Sequence, residues 1–356
     1  MARGEKRNGT LTAIMLLMTI ITLVSMVCTG FLLYDKMHEE PEAEEEPVVE
    51  DTETGVSYTE EEMEAILEAA VEETAVRSRS EGADEFRSYV LSSMSADKAY
   101  LATLRKICTE FIIYNDSDGL NFTPVQYTLK MNSLSEGEFS VNEDGSMDYY
   151  EGDTIVSHKG IDVSKFQGNI DWEKVAADGV EFAFVRCGFR GWGSAGSMNA
   201  DDMFAANADG ARAAGLHVGV YFYSTAITQE EIDEEVRFVL DAIEGHDIDY
   251  PIVIDTEKAD GDGRADNLDK NTRTDLILSF CRQIEEAGYT PMIYANLTWF
   301  VKKMDLSRLE DYDKWFARYD TTLYYPYDIS IWQYSASGTV DGIDGYVDMN
   351  MSFREW

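Results

Sequence analysis

Asp255 and Glu257 stand two residues apart in the stretch Tyr250-Pro-Ile-Val-Ile-Asp-Thr-Glu257. The four residues from Pro251 to Ile254 are apolar without alternation, which suits a strand buried on both faces of a parallel sheet, and polarity changes abruptly at its C-terminal end. Side chains at i and i+2 of a strand point the same way, roughly 6.5–7 Å apart along the chain, so the two acids would share one pocket. Mutual repulsion and partial burial raise at least one carboxyl pKa in such a pocket, setting a protonated acid beside an ionised carboxylate near neutral pH. Glycosidic cleavage needs that division of labour. The competing reading is a solvated loop after a strand, because Asp and Glu supply 68 of the 356 residues.

Chemistry at such a pair requires other strands that deliver groups to the same end. Strand-like runs cover 160–164, 182–188, 217–224, 251–257 and 290–296, separated by helical stretches at about 172–178, 201–214, 229–244 and 272–287. This alternation predicts a parallel sheet with covering helices. A short helix is expected at 297–304, followed by strands at 314–319, 329–334 and 347–351 whose intervals are too short for crossover helices. Eight strands with about five helices describe an α/β fold, an incomplete TIM-like barrel. Its catalytic groups would lie at the C-terminal strand ends. Asp162, Arg186, Tyr221 and Tyr223 occupy those ends on the first three strands, and Asp255, Glu257, Tyr294 and Asn296 on the next two. Trp315 with Arg318, Trp332 with Gln333, and Asp348 with Asn350 continue the series. Aromatic faces stack on sugar rings while carboxylates and amides bond their hydroxyls, so a mouth of this composition suits a carbohydrate.

The region before the barrel has a different composition. Leu11 to Tyr34 is predominantly apolar and uncharged, long enough for a membrane-spanning helix, with Arg3, Lys6 and Arg7 before it and Glu39 onward acidic. The positive-inside rule then assigns 1–10 as a cytoplasmic basic tail, 11–34 as a retained transmembrane helix and everything after it as extracellular, in a single-pass cell-membrane protein. Residues 35–57 form an acidic linker, and 58–155 a helical and α+β stalk region. Within the stalk, amphipathic helices are expected at 58–79 and 84–114, available for self-association through 58–114. Strands are expected at 125–131, 138–141 and 147–150. The barrel domain occupies 156–356.

The formal charge of −39 repels phosphate backbones and argues against a nucleic-acid partner. Cys28 falls in the apolar segment, leaving Cys108, Cys187 and Cys281 outside it, an odd number without paired short spacing that predicts buried free thiols. Only four histidines are present, which gives a His-based metal or triad site little support.

Several segments together resemble the motif series of glycoside hydrolase family 25, the muramidases sometimes called Chalaropsis-type lysozymes. They are Gly160-Ile-Asp-Val-Ser-Lys-Phe-Gln-Gly168 with Ile170-Asp-Trp172, Phe182-Ala-Phe-Val-Arg186, Gly219-Val-Tyr-Phe-Tyr-Ser224, Asp255-Thr-Glu257, Trp332-Gln-Tyr-Ser335 and Val347-Asp-Met-Asn350. The resemblance covers about 158–356 and implies an eight-stranded barrel with five helices that cuts the β-1,4 bond between N-acetylmuramic acid and N-acetylglucosamine in peptidoglycan. It implies no metal and no organic cofactor. By motif position, Glu257 would be the general acid and Asp255 would orient or stabilise the reacting sugar. Asp162 and Asp348 would complete an acidic floor, and Tyr223, Tyr294, Trp315, Gln333 and Arg186 would contact substrate. Phe166 stands where the family often has Trp, and the glycine-rich run Gly188 to Gly196 is read as a mobile loop at the mouth that shapes specificity. Two alternatives stay open: a catalytically idle, glycan-binding barrel that scaffolds a cell-envelope assembly, and a hydrolase of another amino-sugar polymer.

Overall fold

The computed structural model describes Leu101, Leu104, Arg105 and residues 108–356 except 260 and 262. The tail at 1–10, the apolar segment at 11–34, the linker at 35–57 and the helix expected at 58–79 lie outside the described residues. Among the described residues, no helix is long and apolar enough to cross a membrane.

The helix expected at 84–114 does not reach its C-terminal end. Phe111-Ile-Ile-Tyr114 is aromatic and β-branched, and it forms strand β1 (Phe111–Asp116), which hairpins onto β2 (Gly119–Pro124). Asp116 closes the turn by accepting from the Asp118 backbone N–H at 2.8 Å. The strand expected at 125–131 is irregular apart from a single bridge between Met131 and Tyr327, and its backbone is tied instead to the barrel, where Gln126 N donates to the Tyr327 hydroxyl at 2.9 Å. Strands β3 (Phe139–Val141), β4 (Met147–Glu151) and β5 (Thr154–Ile155) follow. Residues from Cys108 to Ile155 do not stand apart from the barrel: Ile112, Tyr114, Leu129, Met147 and Tyr149 belong to the same buried cluster as its outer wall.

The barrel strands are β6 (His158–Val163), β7 (Phe182–Arg190), β9 (His217–Tyr223), β10 (Ile252–Asp255), β11 (Pro291–Asn296), β12 (Asp313–Ala317), β13 (Ile331–Gly338) and β14 (Val347–Ser352). The short β8 (Met198–Ala200) returns antiparallel on β7. They are ordered β6-β14-β13-β12-β11-β10-β9-β7 and close through β6 and β7. The expectation of a wholly parallel sheet fails at one place, since β14 is antiparallel to both β13 and β6. Only residues 339–346 separate β13 from β14, too few for a crossover, so the chain must reverse.

Among the described residues, four helices cover the wall: α1 (Trp172–Ala177), α2 (Phe204–Ala213), α3 (Gln229–Ile243) and α4 (Lys270–Glu286). Asp171, Thr228 and Asp269 cap α1, α3 and α4 by accepting N-terminal backbone N–H groups. The expected fifth helix is a single π-helical turn, Trp299–Lys303. The buried stripe of α3 runs Ile232, Glu235, Val236, Val239 and Ile243. Glu235 is accommodated there because it accepts from Arg190 Nε at 2.7 Å and from the Ser224 hydroxyl at 2.6 Å.

Inside the barrel, Phe182, Phe184, Met292, Trp315 and Ile331 form a separate buried cluster. Two glycines admit the large rings: a Cβ on Gly160 would lie 2.1 Å from the Phe182 ring, and one on Gly219 would lie 2.2 Å from the Phe184 ring. Phe184 in turn stacks on Trp315 with centroids 4.6 Å apart. The motif glycines therefore make room for the ring stack that supports the site floor. Cys108, Cys187 and Cys281 are buried free thiols.

Candidate active site

Register across the sheet brings the acids together. Asp348 on β14 is paired with Asp162 on β6, so their side chains emerge side by side. Asp348 reaches the mouth at the N-terminal end of its strand because that strand runs backwards. Asp255, the last residue of β10, is paired with Tyr223 on β9 and Tyr294 on β11. The ladder continues one residue past the strand, with Thr256 N donating to Tyr294 O at 3.2 Å and Ser224 N to Asp255 O at 2.8 Å. Those bonds hold Glu257 at the rim although β10 stops earlier than the expected 257.

Asp162 is 6% exposed and is held by two amides whose orientation is dictated from their far ends. The Trp315 indole N–H donates to Asn350 Oδ1 at 2.7 Å, which turns Asn350 Nδ2 toward Asp162 Oδ2 at 2.8 Å. The Tyr294 hydroxyl donates to Gln333 Oε1 at 2.8 Å, which turns Gln333 Nε2 toward the same oxygen at 2.7 Å. An indole N–H can only donate, so the Asn350 arm of this network has one sense.

Burial, then repulsion from Asp348, raises the Asp162 carboxyl well above the ordinary range, against the two amide bonds that lower it. Burial, then repulsion from Glu257 and Asp162, raises Asp255 well above it too, opposed by Arg186. Burial lifts Asp348 to about 6. Three acids with raised pKa values beside Glu257 retain protons at a pH where isolated carboxyls would have none. Arg186 is fixed by Asp201, which accepts from its Nε at 2.9 Å, and its guanidinium lies between the Phe166 and Phe189 rings at 5.1 and 5.5 Å from their centroids.

These groups line a cleft of about 700 Å³. Glu257, Asp255, Asp162 and Asp348 all face it, as do Tyr223, Tyr294, Trp315, Gln333 and Arg186. Other strand-end residues do not. Trp332 points outward, its ring edge-on to Phe139 at 5.5 Å, and Asn350 lies behind Asp162. Asn296 and Arg318 line a separate depression. Among the described residues, no three His, Cys, Asp or Glu side chains are placed to hold a metal ion.

A family model described as glycosyl hydrolases family 25 matches residues 161–343, half of the chain. The chain belongs to glycosyl hydrolase family 25. It is a glycoside hydrolase of the lysozyme type. It is 28% identical over 205 residues to a protein of Escherichia coli K12 named YegX, covering 54% of this chain and 68% of that one. It is 28% identical over 195 residues to the autolytic lysozyme of Clostridium acetobutylicum, covering 54% of this chain and 55% of that one, so it spans about half of that relative's length. A solved family 25 glycosyl hydrolase from Bacillus anthracis is 20% identical, with 58% of this chain and 93% of that chain covered at a TM-score of 0.45.

The cleft of this family 25 hydrolase has further walls that strand-end reasoning did not single out. Tyr319 and Trp192 line it and are 59% and 50% exposed, as does Phe166. Lys165 and Lys258 add positive charge to its rim. Trp192 lies in the glycine-rich run expected at the mouth, so its position there was the available signal. The expectation of a mobile loop is corrected: Gly188 to Arg190 belong to β7 and pair with β8, and the rest is held where Arg190 Nη1 donates to Gly196 O at 2.9 Å and Arg264 N to Trp192 O at 3.1 Å.

Asp348 also carries a stability cost. A carboxyl with a raised folded-state pKa binds its proton more tightly when folded, so the stabilisation is complete below the unfolded value of 3.8 and is lost as pH rises through about 6. Asp348→Asn removes this loss. Discounted for partial exposure to about 1 kcal/mol, it is expected to raise Tm by about 2–4 °C near pH 7.5 and to give no gain near pH 4, measured by calorimetry.

Proposed function

We propose that this family 25 chain hydrolyses the β-1,4 bonds between N-acetylmuramic acid and N-acetylglucosamine in peptidoglycan. In this reading Glu257 protonates the leaving oxygen and Asp255 orients or stabilises the reacting sugar. The observation that carries it is the convergence of Asp162, Asp255, Glu257 and Asp348 on one aromatic-walled cleft. Asp255 Oδ1 is buried and accepts no hydrogen bond from the described residues, which suits an acceptor for the N–H of a 2-acetamido group. Asp162, held by its two amides, forms with Asp348 the floor that binds sugar hydroxyls. Tyr223, Tyr294 and Trp315 supply flat apolar walls, and Gln333 and Arg186 polar contacts. Purified peptidoglycan incubated with the full chain is expected to gain reducing ends. If wild-type protein generates none while binding glycan as well as Glu257→Gln does, the idle barrel replaces this reading.

The acidic balance bears on location. A protein of charge −39 is repelled by an anionic wall. In our reading the apolar segment at 11–34 offsets this by tethering the barrel at the outer face of the cell membrane, N-terminus inside. Full-length protein is then expected to stay in the membrane fraction after alkaline carbonate extraction and to lose its barrel to protease added to intact, wall-stripped cells. Recovery in the soluble fraction, or protection from that protease, would remove the tether.

A further inference from the structure

A second depression of about 300 Å³ lies at the same end of the barrel and is lined by Arg105, Arg318, Tyr114, Asn115, Asn296 and Thr298. Arg318 immediately precedes Tyr319 of the catalytic cleft, and Asn296 follows Tyr294 by two residues on β11, so the two cavities share strand ends. Asp320 is the carboxylate that faces the two guanidiniums among the described residues. Arg105 donates through Nε to Ile113 O at 2.9 Å and lies 3.9 Å over the Tyr324 ring. Arg318 Nη2 donates to Asp320 at 2.9 Å, while its buried Nε has no hydrogen-bond partner among the described residues. Burial, then the neighbouring Arg318, disfavour the charged form of Arg105 by more than Tyr324 and Asp320 favour it, a cost that a bound anion would relieve.

We propose that this depression binds a carboxylate of the peptide stem carried by muramic acid while the glycan occupies the cleft. The proposal rests on the muramidase reading. A muramic acid residue carries its peptide through a lactyl ether, and that peptide bears free carboxylates. Two or three extended residues span roughly 7–11 Å, and the adjacent residues Tyr319 and Arg318 line the cleft and the depression respectively. Guanidinium forks match a carboxylate with two parallel N–H donors, and Asn115, Asn296 and Thr298 add polar groups beside the apolar Leu101, Leu297 and Ala317. Tyr114, by contrast, is 3% exposed and presents no open face for a sugar ring. The site selects for stem-bearing glycan and holds it in register with the carboxylates.

The test uses full-length Glu257→Gln protein, so that the probe is not consumed, and calorimetric titration with an N-acetylglucosaminyl-N-acetylmuramyl tetrapeptide or the same compound with its carboxylates amidated. Amidation is expected to weaken binding about tenfold, the size of a charge-assisted hydrogen bond. Adding Arg105→Gln is expected to weaken the free acid about tenfold and leave the amidated compound unchanged, so that the two bind alike. Equal affinities before Arg105 is changed, or equal losses for both compounds after it, overturn the proposal. Displacement of the tetrapeptide by inorganic phosphate at lower concentration than by acetate assigns the site to phosphate and overturns it too. Reducing ends released by the wild type are scored separately. A chain that cleaves nothing yet distinguishes acid from amide keeps the anion site and loses the muramidase reading.

Discussion

Glu257→Gln is expected to lower kcat on peptidoglycan by about 10²–10⁴-fold while KM changes little, the range over which a positioned general acid contributes. The amide keeps the shape and hydrogen-bonding reach of the side chain and loses the proton. Nothing else at the rim substitutes for it readily: Asp162 and Asp255 lie deeper, each 6% exposed, and Asp348 belongs to the β14 side of the cleft. The ladder that ends at Thr256 is made by backbone atoms, so Gln at 257 leaves it intact. Initial rates from a reducing-sugar assay decide the matter, and a kcat within about threefold of wild type would remove Glu257 from the acid role.

Asp255→Asn is expected to lower kcat by about 10²–10³-fold, comparable with the removal of one preorganised electrostatic partner of the reacting centre. The same substitution moves stability the other way. The Asp255 carboxyl is raised by burial and by repulsion from Glu257, so folded protein binds its proton more tightly than unfolded chain does, and the associated stability is lost as pH rises through the folded value. Asn abolishes that loss. At neutral pH, Tm should hold or rise while kcat falls, and this opposition separates a role in the reaction from one in holding the fold. A Tm that drops together with kcat would instead make Asp255 a structural residue.

The core of the barrel was legible because apolar runs such as Pro251 to Ile254 mark buried strands, and glycine-terminated helical stretches mark the crossovers between them. The carboxylates were legible because polarity breaks at the strand ends. Direction was not: alternation predicts parallel neighbours, and only the eight-residue link before Val347 shows why β14 must reverse. Asp348 was thus expected at the mouth for the wrong geometric reason. Phe111 to Tyr114 carried a helical period and β-forming residues at once, and pairing with Gly119–Pro124 resolved the conflict in favour of a strand. Trp332 sits beside Gln333, yet successive residues of a strand face opposite sides, so one fills the outer wall while the other reaches the cleft. The Arg105 and Arg318 depression was invisible because its two guanidiniums are brought together only by the packing of the N-terminal layer on the wall.

The central claim is that this cleft cuts the muramyl linkage. Mass spectrometry of borohydride-reduced fragments, released from purified peptidoglycan by the full-length chain, tests it most directly. Reduced muramic acid at the new ends, absent from a parallel digest with Glu257→Gln, is the predicted result; reduced glucosamine at those ends would contradict it.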